Sequence, residues 1–248
     1  MQYAADASSA PVPRKREWSR AWRALRNLID DPERTDQVFE IVRALSGNSL
    51  EHAYQRFAAT ADGRRLLSER PSLLATLSDR SALAALPEGS FGRAYAEFMD
   101  AGQLAADGLV EAEQMAEQSF AKEGPYDPDR EYFGDRLRDM HDLWHVVAGY
   151  GRDLVGEASL LAFTFAQTWN PGVGFIVAVA YLRLGDAPGA RELLREAFRR
   201  GRRAAWLPGE DWEALLARPL EEVRARLGLG TPPRYTAVRS AGSPTLAY

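Results

Sequence analysis

Between Ala158 and Leu182 the chain runs 25 positions without a charged residue. Such a segment must be surrounded by apolar matter, and its length alone would let one helix span a bilayer. Asn170-Pro171-Gly172 interrupts it, leaving about twelve residues before the break and about ten after it. Ser159, Thr164, Gln167 and Thr168 further interrupt the first half. A proline inside a helix removes a backbone hydrogen bond and clashes with the preceding turn. The segment therefore reads as two buried helices joined at a sharp turn rather than as a membrane span.

The rest of the chain has the same helical period. Trp18, Trp22, Leu25 and Ile29 recur at three- and four-residue spacing, which predicts a helix. A second helix is expected over 35–45, ending near Gly47, and a third from Asn48 or Ser49 to about Ala61. Short helices follow from Arg64 to Leu86, broken at Pro71 and near Asp79. Phe91, Tyr95, Phe98 and Met99 then form an aromatic stripe. Helices are expected over 105–120, from Asp127 or Asp129 to Ala148, and from Pro188 to Trp206, the last rich in arginine. Two short ones flank Pro219. No period-two alternation survives, so the expected fold class is all-α: a single multi-helix, bundle-like domain over 17–229. Residues 1–16 read as a disordered arm and 230–248 as a flexible tail.

Composition narrows the function. Net charge is −4, which argues against nucleic acid as a partner. There is no cysteine, so disulfides, thiolate catalysis and cysteine-ligated metals are excluded. Lys15 and Lys122 are the only lysines, a bias that suggests a GC-rich bacterial genome. The N-terminus resembles neither a signal peptide nor a transit peptide. The expected location is therefore the cytoplasm of a bacterium, or the cytoplasmic face of its inner membrane with peripheral contact.

Two of the three histidines, His141 and His145, stand four apart in His141-Asp142-Leu143-Trp144-His145. On a helix they share a face and can hold one metal ion. Asp142 is about 60° around from His145 and borders the same site. Glu157 lies twelve residues beyond His145, about 18 Å along a continuous helix. Gly149 and Gly151 break the helix between them, so Glu157 is expected to return beside the histidines on a facing helix. Two histidines and a carboxylate leave open positions for water or substrate. His52 has no acidic or histidine partner nearby and reads as structural.

The pattern His-Asp-x-x-His, eleven residues, then Glu resembles the signature of the ubiquinone (coenzyme Q) biosynthesis family known as coenzyme Q protein four. Leu86–Met99 and the segment 212–227 resemble the family's flanks, and the likeness spans roughly 64–229. It implies an all-helical protein acting on a benzoate-derived head with a polyprenyl tail, and oxidative decarboxylation at ring carbon one. It also implies association with other ubiquinone biosynthesis proteins. His141, Asp142, His145 and Glu157 are the candidate catalytic and metal residues, with one divalent metal: zinc first, iron or another divalent ion second. Candidate lipid-binding residues are Tyr95, Phe98, Ala162, Phe163, Ala166 and Phe175. The competing readings are a non-catalytic lipid-binding scaffold and a helical metallohydrolase, and homo-oligomer formation stays open.

Overall fold

The Asn-Pro-Gly break folds as its chemistry predicts. Asn170 caps the second uncharged helix, its Oδ1 accepting from Gly172 N at 2.8 Å and Val173 N at 3.3 Å, with Pro171 in the first turn. Its Nδ2 donates to Ser46 Oγ at 2.8 Å, which fastens the turn to the preceding helices. The computed structural model describes residues 15–31, 34–102, 127–184 and 187–238. Within these are fourteen α-helices, one 3-10 turn at Leu207–Gly209, and no strand. The helices are α1 Trp18–Asp30, α2 Thr35–Leu45, α3 Ser49–Ala59, α4 Ala61–Glu69, α5 Leu73–Ser78, α6 Arg80–Ala84 and α7 Phe91–Ala101. They continue with α8 Pro128–Asp139, α9 His141–Ala148, α10 Leu154–Thr168, α11 Pro171–Arg183, α12 Ala190–Arg203, α13 Trp212–Leu215 and α14 Leu220–Arg226. The helix expected over 105–120 lies outside the described residues.

The largest cluster of buried side chains gathers α7, α9, α10, α12 and α14. The broadest helix pairing in it joins α10 to α12. Gly201 makes that pairing close: a Cβ there would stand 2.6 Å from Phe163 O and 2.9 Å from Ala166 Cβ. A second cluster joins α1, α2 and α11 through Leu25, Ile41, Leu45 and Ile176. A third joins α3, α4 and α8 through Phe57, Leu66 and Phe133. The bidentate pair of Arg136 with Glu213, at 2.6 and 2.9 Å, ties α8 to α13.

Two expectations change. The long helix ending at Ala148 is two helices meeting at Met140, so His141 opens a new helix. Trp18 and Trp22 are 54% and 57% exposed, while α1 buries Ala21, Ala24 and Leu25. Small residues let α1 approach α2 closely, which turns the larger indoles out. Finally, residues 231–238, expected as flexible tail, pack on the body. Leu154 N donates to Val238 O at 2.8 Å, and Val238 N donates to Asp153 Oδ1 at 3.0 Å.

Candidate metal centre

Helix α9 ends where Gly149 turns left-handed at φ 77°, a conformation in which a side chain would be strained. A Cβ at Gly149 would also meet Pro232 at 2.5 Å. The carbonyls left open at this helix end are taken by arginines from later in the chain. Arg224 donates to Val146 O and Val147 O, and Arg200 donates to Ala148 O at 2.9 Å. The chain then turns, and Asp153 starts α10 by accepting from Val155 N and Gly156 N, each at 3.2 Å. Glu157, one turn further on, comes back alongside the histidines.

The His141 and His145 Nε2 atoms are 3.2 Å apart. Glu157 Oε1 is 3.3 Å from His145 Nε2, and its Oε2 is 3.8 Å from His141 Nε2. One donor atom from each residue lies within 4.8 Å of the others. Donors held about 2.1 Å from a tetrahedral ion stand roughly 3.4 Å apart, so these separations suit one first-row divalent cation. The His145 ring is oriented as well as placed. Its Nδ1 lies 3.0 Å from Tyr150 O, and since a carbonyl only accepts, Nδ1 carries the proton and Nε2 presents its lone pair to the site.

The charges are coupled. Burial opposes the charged form of Glu157, but the His145 charge and hydrogen bond, His141 and Arg152 outweigh it and hold the carboxyl down to about 2. Burial lowers the His145 pKa, and Glu157 more than reverses that, leaving it raised. His141 is lowered, first by burial and then by repulsion from His145. His145 is wholly buried, whereas 37% of the Glu157 side chain is exposed, so the donors meet at the edge of a wall with one side open.

Asp142 stands outside the three-donor group. Its Oδ1 accepts from Arg152 Nη2 at 2.5 Å. The Arg152 guanidinium lies 5.0 Å over the Phe98 ring, and Phe98 stacks on the His145 imidazole with centroids 5.6 Å apart. Phe98 thus reaches the site from α7, while Tyr95 is buried in the core beneath it. The other lipid candidates separate. Ala162, Phe163 and Ala166 lie in the tight seam against α12, with Phe163 edge-on to Trp144. Phe175 lies in the second cluster, beneath Trp18 and Trp22. The six do not line one tunnel.

Arg152, Tyr150 and Tyr235 were not among the sequence candidates. Tyr235 Oη accepts from Gly151 N at 2.7 Å and donates to Asp153 Oδ2 at 2.8 Å, closing the turn that delivers Glu157. Only Arg152 carried a sequence signal, as a lone cation within the motif's eleven-residue gap.

Comparison with known proteins follows the same residues. The family model described as coenzyme Q (ubiquinone) biosynthesis protein Coq4 matches residues 18–233. The mitochondrial ubiquinone biosynthesis protein COQ4 of Mycosarcoma maydis is 27% identical, over 85% of this chain and 63% of its own length. The mitochondrial COQ4 homolog of Bos taurus is 28% identical over 82% of this chain and 74% of its own. The mitochondrial coq4 protein of Talaromyces stipitatus is 33% identical over 71% of this chain and 59% of its own. The chain therefore spans about six tenths to three quarters of these relatives. A crystal structure from Nostoc punctiforme superposes with a TM-score of 0.61 at 24% identity, over 88% of this chain and all of that one, and supports the fold. The mitochondrial names of the curated relatives overturn the bacterial cytoplasmic location expected from composition. A lack of cysteine and a bias to arginine do not report a compartment. Among the described residues no helix is long and apolar enough to cross a membrane. On the match over 18–233, the chain belongs to the coenzyme Q (ubiquinone) biosynthesis protein Coq4 family.

Proposed function

We propose that this chain carries out the metal-dependent oxidative decarboxylation of a polyprenylated, benzoate-derived ubiquinone precursor. The observation that supports it is the convergence of His141, His145 and Glu157 on one point at an open edge. Two imidazoles and one carboxylate suit zinc with an open position, and equally iron in an oxygen-activating set. Bound there, a divalent ion supplies Lewis acidity toward an oxygen of the substrate head. The residues do the rest. The hydrogen bond from His145 to Tyr150 fixes the donor lone pair, Phe98 covers one ring face, and Arg152 adds a positive charge beside the head. In the reaction the carboxyl leaves as carbon dioxide and a hydroxyl drawn from water takes its place, and the two electrons and two protons released reduce dioxygen to hydrogen peroxide.

The hydrolase reading loses its base, since Asp142 is held by Arg152. Expected partners are the prenylated precursor, other ubiquinone biosynthesis proteins, a membrane surface touched peripherally, and in some assemblies a second copy. The test is turnover: purified, metal-loaded protein with a polyprenylated aromatic acid in air, following carbon dioxide and the hydroxylated product. Product that vanishes in His141→Ala and Glu157→Gln supports the reading. A protein that binds metal and substrate yet forms no product overturns it and leaves the scaffold role.

A further inference from the structure

We infer that α1 and α11 together form the face by which this protein docks on an anionic lipid bilayer, and that lipid reaches the metal centre from that face. The second clause rests on the lipid substrate proposed above; the first stands without it.

Helix α11 has one charged residue, Arg183, at its end, yet it buries only Gly172, Val173 and Ile176. A helix apolar all round is expected inside a core or in a bilayer. Here Ala178 and Leu182 stand in the open, Leu182 at 71% exposure, on one side with Phe175. The indoles of Trp18 and Trp22 extend that side from α1, with centroids 5.9 and 5.7 Å from the Phe175 ring. Indoles belong where an apolar surface meets water, and two side by side on a protein surface mark an interface.

Charge selects the partner. Lys15, Arg16, Arg26 and Arg183 flank the patch, are exposed, and enter no ion pair among the described residues, while Arg23, also exposed, lies on the other side of α1 near Glu17 and Glu40. The acids at α1 are Glu17, which caps its start and pairs with Arg20, and Asp30 at its far end. A two-fold contact with a second copy would set these cations against their own images. A bilayer carrying acidic headgroups accepts the cations and the indoles together.

The cluster behind the patch leads inward. Phe175, Val179 and Leu161 pack on the same buried group. Leu161 is one turn beyond Glu157 on the same side of α10, about 6 Å along the axis. That side, through Leu161 and Phe165, is partly exposed and packs against α11, where a Cβ at Gly174 would meet the Phe165 ring at 2.7 Å, whereas the side bearing Ala166 is closed against Gly201 of α12. A prenyl tail rising from the bilayer beneath Trp18 and Trp22 thus meets a continuous row of apolar side chains at the α10–α11 contact, which ends one turn from the metal donors.

The experiment is flotation with phosphatidylcholine vesicles, with and without phosphatidylglycerol and free of quinone precursor. Wild type should float with the acidic vesicles and detach in high salt. The double variant Trp18→Ser, Trp22→Ser should lose roughly tenfold or more of its vesicle affinity while keeping its helical content, melting temperature and metal content. Brominated lipids should quench wild-type tryptophan emission and leave the double variant unaffected. Arg26→Gln with Arg183→Gln should weaken binding and flatten its salt dependence. A folded double variant that floats like wild type overturns the assignment. So does a wild type that ignores acidic vesicles but forms a dimer which the double variant breaks. Because the vesicles hold no substrate, a failed turnover assay leaves this result untouched. Leu161→Asp carries the second clause: docking intact with uptake of a prenylated ligand lost supports the path, and uptake unchanged overturns it.

Discussion

His145 serves the site through both ring nitrogens, one fixed by Tyr150 O and the other facing His141 and Glu157. Losing it removes a ligand and leaves that carbonyl without its donor. Losing His141, which is partly exposed, removes a ligand alone. His141→Ala is therefore expected to empty the metal site with helical circular dichroism unchanged; undiminished metal by elemental analysis would refute the assignment. Proton linkage gives a second expectation. Without metal, the raised His145 pKa stabilises the fold fully below the unfolded value of 6.5 and ceases to as pH rises through the folded value. The depressed Glu157 pKa stabilises above the unfolded 4.5 and ceases to as pH falls toward about 2. The pair is thus most favourable between those unfolded values, but metal must displace the His145 proton. Metal affinity should rise with pH through the His145 titration, and binding near neutrality should release protons measurable by calorimetry in two buffers of different ionisation enthalpy. Affinity independent of pH would exclude His145 as a ligand. The four-residue spacing made the histidine pair legible in sequence. The loss of Asp142 to Arg152, ten residues on, was not legible, because helical angle places a side chain without saying which partner holds it.

At the scale of elements, the break at Asn170 was readable because cap, proline and glycine agree locally. The meeting of two helices at Met140 was not, because no proline or glycine marks it. The surroundings of Ala162 and Ala166 were not legible for a related reason. An uncharged helix shows that it is buried without showing against what, and here Ala166 and the Phe163 backbone meet Gly201 of α12 closely. Ala166→Asp should accordingly place an unpaired carboxylate in a closed seam and cost several kcal/mol, lowering the melting temperature sharply. A stable variant defective only in lipid uptake would return this seam to the tail's path. Residues 231–238 were illegible because their composition resembles a tail, while their partner Asp153 lies 82 residues earlier. Tyr235→Phe removes the acceptor for Gly151 N and a donor to Asp153. The expected cost is about 1–3 kcal/mol with weaker metal binding, read by melting and by competition with a chelating dye. Unaltered metal affinity would mean that this bridge does not set Glu157.

For the whole molecule, the periodicity carried the fold class, but the division into three clusters depended on pairings between distant helices, which one sequence does not display. The candidate metal centre bears on that whole because its donors come from two helices. His141 and His145 lie on α9 and Glu157 on α10, joined by the turn that Asp153 and Tyr235 close. Both helices contribute to the largest cluster, so an ion spanning them joins two sides of the same core. The unfolded chain has no such arrangement, because the turn that brings Glu157 back no longer exists. Metal should then bind the folded state almost exclusively and stabilise it by mass action. At a free metal concentration a hundred times the dissociation constant the gain is about 2.7 kcal/mol. For a chain of this size that corresponds to a rise in melting temperature of roughly 5–10 °C. Chelation should reverse the rise in wild type, and His141→Ala should melt at one temperature with or without metal. If wild type melts identically with added metal and with chelator, the three donors converge without holding an ion, and the site needs another account.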